Sequence, residues 1–136
     1  MTTMKLLKLV YISHGWFLGY NDRSLISDAV FAWKYGPVII SVYECFRKYG
    51  KNTISGLVDI DGDGRISENE FPDQDTQKFL APIWDNYKNY SAIQLSSLTH
   101  QKGSPWDIAI KTNGVNSLIP NELIRDYYKE MTQSVA

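Results

Sequence analysis

The sequence predicts a mainly α protein: a single compact bundle of about five to six helices, with a short β-hairpin near residues 26–33 and 53–58. Three observations carry this. Apolar residues recur at spacings of three and four in most segments between turn signals. Ser, Thr and Pro stand where helices open, and Gly or Asn-Gly where they close. The chain of 136 residues is 43% apolar, enough for one ordinary core, so residues 1–136 are read as one domain.

Thr3 is placed to cap a first helix running to about Gly19, with Leu6, Leu7, Val10, Tyr11, His14, Phe17 and Leu18 on one face. His14 in that stripe reads as a hydrogen-bonded core histidine, because nothing at metal-ligand spacing accompanies it. Asn21-Asp22-Arg23-Ser24 has turn chemistry, and the apolar runs Leu25-Ile26 and Ala29-Val30-Phe31 have strand length. An extended piece over Val30–Trp33 is expected to pair with Thr53-Ile54 or Leu57-Val58.

Pro37 has the fixed φ that a first helical position wants and lacks an N–H that would go unpaired there, while Gly50 sits where a helix commonly ends. Between them Ile39, Val42, Tyr43, Phe46 and Tyr49 form one stripe. This helix is expected to be the central packing element. A further helix runs from Asp73 to about Tyr90, with Phe79, Ile83, Trp84, Tyr87 and Tyr90 at helical spacing. The rhythm keeps its phase across Pro82, which predicts a kink there and not a break.

Ser91 followed by Gln94 is a capping box for a helix that turns Ala92, Leu95 and Leu98 inward. Ser104 then caps a helix with Pro105 in its first turn, closed by Asn113-Gly114. The last helix opens at Ile119-Pro120-Asn121-Glu122 and buries Leu123, Ile124, Tyr127, Tyr128 and Met131; Thr132 to Ala136 are expected to fray. His100 and Trp106 are close enough in sequence to form a small polar and aromatic cluster. A catalytic role for His100 would need a nucleophile or metal beside it, and the sequence offers neither.

Composition restricts the function classes. A net charge of −1 and a pI near 6.1, with no basic run, argue against a phosphate-binding surface and so against direct nucleic-acid contact. The single cysteine, Cys45, cannot form an internal disulfide and falls inside a predicted helix, where it reads as an inert buried thiol in a reducing cytoplasm. No long apolar run follows Met1-Thr2-Thr3-Met4-Lys5, so neither a signal peptide nor a membrane span is expected. The 13% of aromatic residues, four Trp and nine Tyr among them, favour protein–protein contact. No paired carboxylates, Ser/His/Asp or Cys/His arrangement, or phosphate-cradling glycine loop is present, so the chain is expected not to be an enzyme.

The most legible local chemistry lies in Asp59-Ile60-Asp61-Gly62-Asp63-Gly64-Arg65-Ile66-Ser67-Glu68-Asn69-Glu70, which resembles the calcium loop of an EF-hand at every diagnostic position. A hard cation needs several oxygens, and alternate residues of a curling loop point inward. Asp59, Asp61 and Asp63 would supply carboxylates, Arg65 its carbonyl, Ser67 a water-bridged contact and Glu70 a bidentate carboxylate, with Gly64 making the sharp turn. The competing reading is an acidic, Gly-rich surface turn with no ion. The flanks argue for it: Asn52-Thr53-Ile54-Ser55-Gly56 is a poor helix, Pro72 interrupts the exit helix that Ser67 would cap, and there is no second loop to pair with. The loop is read as an insertion at 59–70, and Ca2+ as the one cofactor the sequence offers, in a structural role.

The segment Ala32-Trp33-Lys34-Tyr35-Gly36-Pro37-Val38, followed by Val and Tyr residues, resembles the signature of the Panacea, or SocA-like, antitoxin domain family. Two further pieces resemble it in order: Leu7-Val10-Tyr11 leading to Gly15-Trp16-Phe17-Leu18, and Leu95-Ser96-Ser97-Leu98-Thr99-His100 leading to Pro105-Trp106. The resemblance spans about Leu6 to Tyr128, and the family pattern does not require a calcium loop. It implies a cytoplasmic antitoxin of a bacterial or prophage toxin–antitoxin system, whose partner is a cognate protein toxin neutralised by direct binding. Two alternatives stay open: an adaptor that delivers the toxin to a protease, which one relative exemplifies, and a calcium-binding regulatory protein. Masking needs desolvated aromatic anchors, for which Trp33, Lys34 and Tyr35 are the candidates. Trp33 is also read as largely core, since a signature shared across diverse toxins encodes the fold more naturally than the interface.

Overall fold

A computed structural model describes residues 2–26, 28–46 and 74–134. In chain order the elements are α1 (Thr3–Asn21), β1 (Val30–Trp33), β2 (Gly36–Ile39), α2 (Ile40–Phe46), α3 (Gln74–Tyr87), α4 (Ala92–Thr99), α5 (Pro105–Asn113), β3 (Ser117–Ile119) and α6 (Asn121–Ser134). The protein is mainly helical, with a small antiparallel sheet ordered β2-β1-β3.

The organising element is α1. It packs against α2, α3, α4, α6 and β2, and Leu7, Lys8, Leu9, Tyr11, Ile12, His14, Gly15, Phe17 and Leu18 are all buried. A helix buried on so many sides lies at the centre of a domain. The side chain of Thr2, one residue before the expected Thr3, caps it by accepting from the Lys5 N–H at 3.3 Å. Asp22 in the left-handed region (φ 54°) closes it, its N–H donating to the Leu18 carbonyl.

The closest helix contact is that of α1 with α6. A Cβ on Gly15 would overlap the Tyr128 ring, and one on Gly19 would lie 3.1 Å from the Lys129 backbone nitrogen. Two glycines one helical turn apart let the α6 backbone settle directly on α1. Tyr128 fills the seam, edge-on to Tyr11 at 6.4 Å and to Trp16 at 5.1 Å. His14, fully buried, points Nε2 at Asn121 Oδ1 (3.1 Å) at the start of α6. This is the hydrogen-bonded core histidine expected from sequence, and burial holds its pKa below the ordinary value.

The expected helix from Pro37 to Gly50 begins three residues later, at Ile40. Gly36–Ile39 is instead a strand, paired with β1 in the register Trp33↔Gly36, Ala32↔Pro37, Phe31↔Val38 and Val30↔Ile39. β1 was expected to be extended and is, but its neighbours are β2 and β3, the latter through Val30↔Ile119, Phe31↔Leu118 and Ala32↔Ser117. Both edges of β1 are therefore taken. The arm expected at 53–58 lies outside the described residues, as does Tyr49 of the predicted stripe.

Pro37 fits the strand for a physical reason. The Ala32 carbonyl turns toward the β3 side, where it accepts from the Asn116 N–H at 2.7 Å. Its partner Pro37 thus needs no N–H on the β1 side, and proline is tolerated on an edge strand.

The remaining helices follow their sequence signals. Ser91 and Gln94 form the full capping box of α4, and Ser104 caps α5, which has Pro105 in its first turn. Helix α3 continues through Pro82 and ends at Tyr87, short of Tyr90. Helix α6 continues to Ser134, where fraying from Thr132 was expected. Among the described residues no helix is long and apolar enough to cross a membrane.

Candidate partner-binding site

The β1–β2 hairpin is held by side chains from three helices, each donating to a carbonyl on alternate residues of the strand and turn. Trp106 Nε1 of α5 donates to the Trp33 carbonyl at 2.6 Å, Ser96 Oγ of α4 to the Tyr35 carbonyl at 2.8 Å, and Lys8 Nζ of α1 to the Pro37 carbonyl at 3.0 Å. Gly36, at φ 123°, carries the reversal between them, and its missing Cβ leaves room for Lys8, whose Nζ would otherwise stand 2.8 Å from that carbon. The hairpin tip is thereby fixed at low conformational cost to any partner.

At that tip Lys34 and Tyr35 are exposed, Tyr35 by 67%, with the Lys34 ammonium 5.6 Å from the Tyr35 ring centroid. Trp33 behind them is half-buried and packs edge-on against Tyr43 of α2 at 5.0 Å. The three candidate residues named from sequence are thus adjacent and divide in role. Trp33 anchors the hairpin, and Lys34 with Tyr35 faces outward. His100 stacks on Trp106 at 5.3 Å and lies 3.4 Å from Ser96 Oγ, so the expected small cluster exists and buttresses the same hairpin.

Beneath the tip a cavity of about 460 Å3 opens between α1, the hairpin and α2. Met4, Leu7, Trp33, Val38 and Tyr43 give it mostly apolar walls, and Lys8 supplies the one charged group among the described residues. Lys8 is only 5% exposed. Its pKa is pulled down to about 8 because burial penalises the ammonium. Sequence reasoning missed Lys8, because nothing local separates a lysine that reaches water along its stem from one that a hairpin covers. The calcium ligands expected at Asp59, Asp61, Asp63, Arg65, Ser67 and Glu70 lie outside the described residues. Among the described residues no group of three or more His, Cys, Asp or Glu is placed to hold a metal ion.

A braced aromatic hairpin thus stands beside a largely apolar cavity on a mainly helical body. The profile described as "Antitoxin SocA-like, Panacea domain" matches residues 6–107, which include all three pieces of the sequence signature. The chain is also 31% identical over 150 aligned positions to Antitoxin SocA of Caulobacter vibrioides (strain NA1000 / CB15N), covering 100% of this chain and 76% of that protein. The chain belongs to the SocA-like Panacea antitoxin family. No solved structure matches it.

Proposed function

We propose that this protein is an antitoxin that neutralises a cognate protein toxin by direct binding, without chemistry of its own, and that the hairpin tip belongs to the contact surface. Family membership supports the antitoxin role. The observation that carries the surface is the exposed Lys34-Tyr35 pair on a hairpin braced from α1, α4 and α5. Tyrosine is enriched among binding anchors, and here it stands exposed on a rigid hairpin beside a cation.

The test is co-expression with the product of the adjacent reading frame. Wild type should rescue growth, and the double variant Lys34→Ala/Tyr35→Ala should lose protection while its melting temperature holds. Undiminished rescue by the double variant would remove the tip from the contact surface. Failure of wild type to rescue would remove the antitoxin reading. Immunoblotting the toxin separates the modes: direct masking leaves its level unchanged, whereas delivery to a protease lowers it.

A further inference from the structure

The Lys8 ammonium has three N–H donors, and the Pro37 carbonyl takes one of them. Among the described residues no carboxylate lies within ion-pair distance of it. A charge withdrawn from water is ordinarily paired, and one left single destabilises the fold that holds it. Here the ammonium opens onto a cavity of about 460 Å3, reached past the half-exposed Met4 and the exposed Tyr35. Lys34, between the lining residues Trp33 and Tyr35, likewise has no carboxylate partner among the described residues. Helix α1 has no acidic residue in its first turn.

We propose that this cavity is the docking pocket for the toxin, and that its occupant is an aspartate or glutamate of the toxin presented beside an apolar side chain. The carboxylate pairs with Lys8, and Leu7, Trp33 and Tyr43 cover the apolar neighbour. The inference rests on the antitoxin reading and deepens it. Charge complementarity selects the occupant: an apolar side chain alone would seal an unpaired ammonium away from water, and a basic one would be repelled. A carboxylate supplies the missing acceptor in a site that its apolar neighbour closes to water, where a matched pair is strongest.

The experiment measures the dissociation constant of the purified product of the adjacent reading frame by titration calorimetry. Lys8→Met, which keeps the length of the side chain and removes its charge, should weaken binding about 10- to 100-fold. Lys8 also holds the Pro37 carbonyl of the hairpin, so Met4 at the rim gives a second arm that leaves this contact in place. Met4→Glu places a competing carboxylate at the mouth and should weaken binding about tenfold or more while folding normally, whereas Met4→Gln should stay within about threefold of wild type. Binding by folded Met4→Glu at wild-type strength, or an equal loss in Met4→Gln, overturns the proposal while leaving the antitoxin reading intact. Absence of toxin binding and of growth rescue in wild type removes both. Lys8-dependent self-association without toxin, read by light scattering, assigns the cavity to a second copy of this chain and also overturns it.

Discussion

The indole N–H of Trp106 donates to the carbonyl oxygen of Trp33 across 2.6 Å, tying α5 to the end of β1. Trp33 in turn meets Tyr43 edge-on, so one hydrogen bond and one ring contact join α5 to β1 and α2. Trp106→Phe keeps most of the ring and removes the donor. It should cost about 0.5–1.5 kcal/mol, the usual net contribution of one intramolecular hydrogen bond. Urea denaturation measures that loss, and hydrogen exchange at Gly36 should accelerate as the hairpin loosens.

The α1–α6 seam makes a second prediction. Alanine is the better helix former by about 1 kcal/mol, so on propensity alone Gly15→Ala would stabilise α1. Its Cβ, however, would enter the Tyr128 ring, which is itself held between Tyr11 and Trp16. Overpacking of this kind costs about 1–3 kcal/mol or more. The net effect should therefore be a lower melting temperature. An unchanged or higher one would show that Tyr128 has somewhere else to go.

The loop at 59–70 is proposed to bind calcium on its sequence alone. Titration calorimetry of wild type should give heat at millimolar calcium or below, and Asp61→Ala should abolish it, since the loop would lose a carboxylate that a hard cation needs. If wild type gives no heat at millimolar ion, the acidic loop is a turn without an ion. Rescue of growth by Asp61→Ala would separate the ion from the antitoxin function.

The legible parts of the fold were those written locally. Ser91 with Gln94, Ser104 with Pro105, and the turn at Asn21-Asp22 all stand where a few neighbouring residues decide the outcome. Pro37 was misread because the same fixed φ and missing N–H that suit a helix start also suit an edge strand, and the deciding fact is nonlocal: Ala32 bonds to Asn116 on the far side. Strand β3 has only three residues, Ser117–Ile119, and no periodicity to detect. The tip residues Trp33, Lys34 and Tyr35 could be named from the aromatic cluster and the family signature. Lys8 could not, because a lysine within a helical stripe usually reaches water along its stem, and only the packing of the hairpin over it shuts that route.

The burial of Lys8 sets a pH signature in stability. Its folded-state pKa, about 8, is below the ordinary lysine value near 10.4. Between those limits the unfolded chain holds a proton that the folded protein has released, so stability rises with pH through this window and is lost as pH falls toward 8. The clean range ends near pH 9.5, because ordinary tyrosines ionise near pH 10. From pH 7.5 to 9.5 the gain should be about 1–2 kcal/mol in wild type and absent from Lys8→Met. Above about pH 10 the sign reverses. Burial raises the pKa of Tyr11 and Tyr128, so the unfolded chain loses those protons first and both proteins weaken together. Urea midpoints at half-unit pH steps trace both limbs. A wild-type curve parallel to that of Lys8→Met between pH 7.5 and 9.5 would mean that the ammonium is hydrated in the folded protein.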